Sequence, residues 1–359
     1  MILSPNQKEA YSSVMDWHKN GGKFFSIAGY AGTGKTTLAR YIAQEIDRDR
    51  TIFCAYTGKA ANVLKEKGCP NAGTIHSYLY KWIETKDEKP VFGLNHESCF
   101  LDAPLVIVDE YSMIPDDIID DIHKMAKKIL YLGDPFQLPP VRKTNTIIEP
   151  DIFLTEVHRQ ALESPILRAA TNVREGHKLK HGDYGDFRYA RHEDCADDAL
   201  QEADQVIVGR NATRREINSY FIRLLNFSEI PQGNGEKLIC LRNKKEKGLF
   251  NGMIGSCDSA YDHEKDYFRM DFNCDGDPYP DLKVRTGPFK GEDQQNFMGD
   301  FKSELFDYAY AITCHKSQGS EFKNVLIFNE PIGKTHEERQ RWLYTALTRA
   351  QNRATLVDL

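Results

Sequence analysis

The chain of 359 residues has no long apolar run: nothing in it approaches the about 18 consecutive apolar residues that a membrane-spanning helix requires. Its opening, MILSPNQKEA, has no charged segment leading into an apolar one, so no secretory leader is read there and a cytoplasmic setting is expected. The eight cysteines (Cys54, Cys69, Cys99, Cys195, Cys240, Cys257, Cys274, Cys314) contain no CxxC pair. The usual spacing of a structural zinc site is therefore missing, and the thiols read as reduced. Excess positive charge is missing too: 47 Lys and Arg against 53 Asp and Glu leave a net charge of -6. Any nucleic-acid site must then be a local groove of positive potential, since no global basic field exists. Internal repeats and low-complexity tracts are also lacking. What is present is ordinary for a folded protein, with 40% hydrophobic and 28% charged residues, and the length suits two domains better than one core.

The first part of the chain alternates strand-like runs with helical patterns: KFFSIAG, a helix over Thr36 to Arg48, TIFCAY, and a helix from about Gly58 to Lys67. LVIVDE and ILYLGD are nearly continuous aliphatic runs ending in acids, as expected of buried parallel strands that deliver groups to their carboxyl ends. Residues 81–103 read as a small hairpin excursion. From about Pro150 the rhythm resumes with a helix over Ser164 to Glu175, the strand QVIVGRN and a helix over Ala212 to Leu225. Residues 228–305 change character: short strand candidates KLICLRN, GMIGSC and YFRMDF stand among Gly, Asn and Asp clusters and read as an inserted β-barrel. DYAYAITC, NVLIFNE, a helix over Glu337 to Ala350 and a last strand RATLVDL complete the second unit. The expected division is 1–150 and 151–359.

Gly29 to Thr37, GYAGTGKTT, satisfies G-x-x-x-x-G-K-[ST] between a strand and a helix, the setting in which this pattern has a mechanism. Backbone N–H groups across Ala31, Gly32, Thr33 and Gly34 turn toward phosphate oxygens, and the helix N-terminus adds its dipole. Lys35 reaches the outer phosphates and Thr36 ligates Mg²⁺. Asp109 and Glu110 close an aliphatic strand, where the first acid holds Mg²⁺ and the second orients or deprotonates the attacking water. Two lobes also allow an arginine to be supplied across a cleft, with Arg159 and Arg349 as candidates.

In this order the motifs resemble those of superfamily 1 helicases, and within them the RecD-like, phage Dda-type group associated with 5′ to 3′ movement. The resemblance extends over nearly the whole chain. GYAGTGKTT is similar to motif I, AYTGKAANVL to motif Ia, IVDEYSM to motif II and YLGDPFQLPPV to motif III. LTEVHRQ is similar to motif IV, ITCHKSQGSEF to motif V and LYTALTRAQN to motif VI. The resemblance implies two RecA-like P-loop domains in tandem, the second carrying an SH3-like β-barrel. It implies Gln7 as the adenine reader, Gln137 as the γ-phosphate sensor, and Arg159 and Arg349 as fingers. Thr37, Gly319, Glu321 and Tyr344 join the nucleotide side. Thr57, Lys59, His76, Asn211, Thr313, His315 and Lys316 are implied to face DNA. The hairpin would be a strand-splitting pin, with Trp82 or Phe92, or else Phe100, stacking on a base. Motif Ia departs from the family in lacking its frequent Pro and His.

Together these readings lead us to expect a monomeric motor of a bacterial or phage-infected cytoplasm that uses ATP and Mg²⁺ on single-stranded DNA and at junctions with duplex, with replication or recombination proteins as partners. Three alternatives stand against it: a translocase that displaces proteins without unwinding, a nucleotide-switched binding protein, and an RNA helicase. Neither step size nor polarity follows from any residue pattern.

Overall fold

The runs of branched aliphatic residues become the central strands, because such side chains suit a pleated surface covered on both faces. The computed structural model describes residues 3–83, 91–139, 149–156, 163–194, 197–244, 247–274, 276–297, 302–330 and 332–358. Its first unit runs α1 (Pro5–Asn20), β1 (Phe24–Gly29), α2 (Lys35–Asp47), β2 (Ile52–Ala55), α3 (Gly58–Glu66), β3 (Ala72–Thr74) and α4 (Ile75–Leu79). It continues with β4 (Tyr80–Ile83), β5 (Val91–Leu94), β6 (Val106–Val108), α5 (Asp116–Met125), β7 (Ile129–Gly133) and β8 (Ile152–Leu154). The sheet order is β3-β2-β6-β7-β1-β8, with every pair parallel. One face is closed by a core that includes Val14, Leu38 and Ile42, the other by one that includes Ile75, Ile119 and Ile122. Strand β8 carries this sheet past Pro150, because Asp151 accepts hydrogen bonds from the Ser26 N–H and hydroxyl on β1.

The second unit runs α6 (Pro165–Arg174), β9 (Gly182–Asp183), β10 (Phe187–Ala190), α7 (Asp197–Glu202), β11 (Gln205–Val208) and α8 (Asn211–Leu224). After an insertion come β17 (Ala311–Thr313), α9 (Cys314–Ser317), β18 (Phe322–Asn329), α10 (His336–Leu347) and β19 (Ala350–Asp358). Its sheet order is β17-β11-β18-β19-β10-β9, parallel except for β9. The insertion itself is β12 (Glu236–Cys240), β13 (Ile254–Tyr261), β14 (Tyr267–Cys274), β15 (Asp277–Arg285) and β16 (Phe306–Tyr308), in the antiparallel order β15-β14-β13-β12-β16. Phe268, Met270, Phe272 and Cys274 alternate inward along β14. Glu304 bonds Lys283 and Arg285 through its backbone, which draws the two edges of this sheet toward each other.

The structure corrects several expectations. DYAYAITC is two strands in two sheets: β16 pairs with β12 of the insertion and β17 with β11 of the second unit. Asn218 holds the break, donating from Nδ2 to Tyr308 O (3.0 Å) and Ala311 O (3.1 Å) and accepting the Ala311 N–H at 2.8 Å. Strand β15, with Pro278 and Pro280, was not foreseen; it lies at a sheet edge, where proline costs no ladder bond. The last helix stops at Leu347 rather than Ala350, so Arg349 stands in the turn before β19. The excursion is an antiparallel β4–β5 pair with Trp82 opposite Phe92. Phe100 is not a pin residue: it is fully buried and stacks on Tyr78 at 5.3 Å. Among the described residues no helix is long and apolar enough to cross a membrane.

Candidate active site

The loop between β1 and α2 is shaped by its glycines. Gly32 and Gly34 take φ of 80° and 73°, a region a side chain disfavours, and a Cβ on Gly29 would come within 2.7 Å of Thr33 Oγ1. Gly34 caps α2 without a side-chain bond, so the first-turn N–H groups are left for an anion. Thr33 is buried, and its hydroxyl donates to Tyr30 O at 2.8 Å. Thr36 is half-buried and Thr37 exposed on the first turn. Lys35 Nζ donates to Gly29 O (2.6 Å) and Tyr30 O (3.1 Å). Gln7 completes a capping box with Ser4 and donates from Nε2 to Thr33 O at 3.2 Å, bracing the loop from α1.

Asp109 and Glu110 follow β6 at the carboxyl end of the sheet, beside this loop. Burial, with the Glu110 charge adding to it, pushes the Asp109 carboxyl up to about 6, against the pull of Lys35. Glu110 sits at φ 52°, an uncommon conformation that turns its side chain to Gln137: Gln137 Nε2 donates to Glu110 Oε1 at 3.3 Å. Glu110 Oε2 and Gln137 Oε1 are buried with no hydrogen-bond partner among the described residues. Buried oxygens are normally satisfied. A lysine, an uncapped helix start, a hydroxyl, two acids and these two oxygens at one sheet edge form a donor set that fits a magnesium-bound nucleoside triphosphate.

The second unit closes over this edge. From α10, the Tyr344 hydroxyl accepts the Ala31 N–H at 2.8 Å and donates to Asp134 Oδ2 at 2.5 Å. Thr345 Oγ1 accepts the Leu138 N–H at 2.9 Å, and Arg341 Nη1 donates to Pro135 O at 2.9 Å. Gln318 Nε2 donates to Leu138 O at 2.6 Å, and the Arg174 guanidinium lies 3.6 Å from the centre of the Tyr30 ring. Glu321 pairs with Lys67 across the units at 2.9 Å; burial works against its charge, but Lys67 and Gln351 hold the carboxyl below its usual range. Gly319, at φ 69°, leaves room for Thr57, whose Oγ1 a Cβ would approach to 3.1 Å. Arg349 is buried, donating to Thr345 O (3.1 Å), Ser320 O (3.3 Å) and Thr348 Oγ1 (3.2 Å). Arg159 lies outside the described residues.

The expected DNA-facing residues fall into two sets. Thr57 caps α3 through the Ala60 N–H, and Lys59 Nζ lies 3.6 Å from the centre of the Phe322 ring, so both stand where the units meet. His76 is buried among Tyr56, Tyr80 and Phe250 at ring distances of 5.5, 5.7 and 6.4 Å. Thr313 caps the short helix that carries His315 and Lys316; burial pushes both of their pKa values down, and Lys316 Nζ donates to Asn251 Oδ1 of the insertion at 2.5 Å. Asn211 is exposed at the start of α8, apart from these. The side chains of Trp82 and Phe92 lie outside the described residues. Sequence reading missed Asp134, Arg174, Gln318, Arg341 and Thr345. Asp134, inside the GDPFQLPP string, was the one with a signal.

The comparisons with known proteins agree with this geometry. Residues 2–190 match the family described as an AAA domain, and residues 308–357 match a UvrD-like helicase C-terminal domain. The chain is similar to the ATP-dependent RecD2 DNA helicase of Deinococcus radiodurans, 29% identical over 96% of this chain and 48% of that protein. It is 30% identical to the ATP-dependent DNA helicase dda of Enterobacteria phage T4, over 48% of this chain and 43% of that one. It thus spans about half the length, or less, of these curated relatives. A solved structure of two coordinating Pif1 helicases at forked double-stranded DNA shares the fold, with a TM-score of 0.59 and 18% identity over 99% of this chain and 92% of that one. Both units are thus RecA-like domains, and by its AAA domain followed by a UvrD-like helicase C-terminal domain the chain belongs to the superfamily 1B helicases.

Proposed function

We propose that the chain is an ATP-dependent DNA helicase motor that moves 5′ to 3′ along single-stranded DNA, separates duplex at junctions, and hydrolyses ATP in the cleft between its two RecA-like units. The observation that carries this reading is the Gln137–Glu110 pair: a buried and a half-buried side chain, each with one buried oxygen left over, stand beside the phosphate loop where an attacking water is needed. Lys35 leaves the loop carbonyls for the outer phosphates, and the first turn of α2 cradles them. Thr36 and Asp109 would hold Mg²⁺, which would supply positive charge beside the phosphate oxygens and favour the ionised Asp109 carboxylate despite its burial. Gln7 lies at the base edge of the loop, and Thr37, Gly319 and Glu321 border the nucleotide. Arg159 and Arg349 are the fingers; Arg349 must give up its bonds to main-chain carbonyls to reach a phosphate, so its part belongs to the nucleotide-bound cleft.

DNA runs on the side of the cleft where Thr57, Lys59 and His76 of the first unit approach Thr313, His315 and Lys316 of the second, with Asn211 farther along. Closing and opening of the units on ATP changes the grip of each set in turn, and the difference is a step. The first unit comprises residues 1–150 with strand β8 added, the second the remainder, with an SH3-like insertion between about 228 and 308. The chain acts as a monomer. The β4–β5 hairpin, with Trp82 facing Phe92, is the pin. The test is strand displacement on duplexes with a 5′ or a 3′ single-stranded tail, with phosphate release recorded alongside. Separation from the 5′ tail alone supports the full reading. DNA-stimulated phosphate release without separation replaces it with a translocase, and RNA-stimulated release without a DNA effect replaces the track.

A further inference from the structure

Helix α10 turns Arg341, Tyr344 and Thr345, spaced three and four apart, toward the turn 134–138 that follows β7. Among them Tyr344 alone joins two separate parts of the first unit. Its hydroxyl accepts the Ala31 N–H of the phosphate loop and donates to Asp134 Oδ2. Asp134 in turn builds the turn that carries Gln137: Oδ1 accepts the Phe136 N–H at 3.0 Å, and its backbone carbonyl accepts the Gln137 N–H at 3.2 Å. Gln137 then reaches Glu110. An unbroken series of hydrogen bonds therefore runs from the phosphate loop through one hydroxyl of the second unit to the pair that orients water. Tyr344 and Asp134 are both 1% exposed, so water does not compete for these bonds. The Phe136 ring, edge-on at 5.3 Å, holds the Tyr344 ring whether or not the hydroxyl is there.

We propose that Tyr344 is a positioning residue rather than a nucleotide contact: its hydroxyl, seated only when the two units are closed, sets the spacing between the phosphate loop and the Gln137–Glu110 pair and so makes hydrolysis conditional on closure. The inference rests on the reading of the cleft as an ATPase site. Opening of the units unseats the hydroxyl and slackens both ends of the series at once. The sequence places Tyr344 in a helix with no hint of this, because the bonds join residues 313 and 210 positions apart.

The experiment uses the full chain with Tyr344→Phe, Asp134→Asn and the double variant, measuring single-strand-stimulated phosphate release against ATP concentration. The expected result is a fall in kcat of about tenfold, the size of one lost hydrogen bond to a charged acceptor. KM for ATP should shift by less than about threefold, since a positioning group acts after binding. The double variant should lose no more than the worse single variant, because both changes break one connection. A raised KM at unchanged kcat makes Tyr344 a ligand contact and overturns the proposal, as does an additive loss in the double variant. Hydrogen exchange at the Ala31 amide reads the bond without any turnover: exchange faster in Tyr344→Phe than in the wild type supports it, and equal exchange sinks it. A wild-type chain without ATPase activity but with a protected Ala31 amide would refute the proposed function and leave the bond standing.

Discussion

Replacing Thr345 by valine tests whether closure of the units limits turnover. Thr345 is fully buried at their junction; Oγ1 accepts the Leu138 N–H at 2.9 Å and donates to Arg341 O at 2.8 Å. Valine keeps the branched shape and removes the oxygen. In the closed cleft the Leu138 N–H is then left without its partner, but when the units part it meets water. The cost of about 1–3 kcal/mol for an unsatisfied buried donor therefore falls on the closed form alone. A shift of that size lowers the ratio of closed to open forms roughly 5- to 150-fold. Two dyes placed on exposed positions of the two units, read by energy transfer at saturating ATP, should report a longer mean separation. Single-strand-stimulated phosphate release should fall with the closed population, by up to that same factor. Turnover within about twofold of the wild type, together with an unchanged separation, would refute the reasoning that this bond belongs to the closed state only.

Four further outcomes are expected. Lys35→Ala should reduce phosphate release to background with unchanged circular dichroism; substantial turnover would remove Lys35 from the site. Glu110→Gln should retain nucleotide binding, measured by fluorescence of a labelled analogue, while turnover drops about 10²- to 10⁴-fold as for a lost general base, and near-normal turnover would reassign the base. Trp82→Ala and, separately, Phe92→Ala should lower strand separation more than ATP hydrolysis; equal loss of both would make the residue structural. Asn218→Ala should cost about 2–3 kcal/mol, since three backbone groups at the β16–β17 break lose their partner. An unchanged melting temperature would mean that water replaces the amide there.

Much of the first unit was legible because its signals are local. The strand-loop-helix around Lys35 depends on glycines within a few residues of one another, and the acids after β6 end an apolar run, where a solvated strand end was the competing reading until the phosphate loop was set beside it. The second unit was harder. DYAYAITC looks like one strand because alternation continues through it; only Asn218, from a distant helix, makes it two. Strand β15 was hidden by its prolines, which an edge tolerates and a central strand does not. Phe100 looked like a candidate for base stacking because aromatic character in a polar stretch has two explanations, and burial against Tyr78 decides between them.

The amino-acid sequence by itself determined the two α/β units and the phosphate loop and set Asp109 and Glu110 at a strand end, because those features are written in spacing of a few residues and in strand-terminal position; Gln137 was implied only by the resemblance of YLGDPFQLPPV to motif III. The tertiary structure decided which of the remaining groups meet. Glu321 pairs with Lys67, Arg349 is held by main-chain carbonyls, and Tyr344 bonds Asp134 and Ala31. A hydrogen bond between residues 313 positions apart depends on how two independently patterned units dock, and docking is set by the shape of whole surfaces.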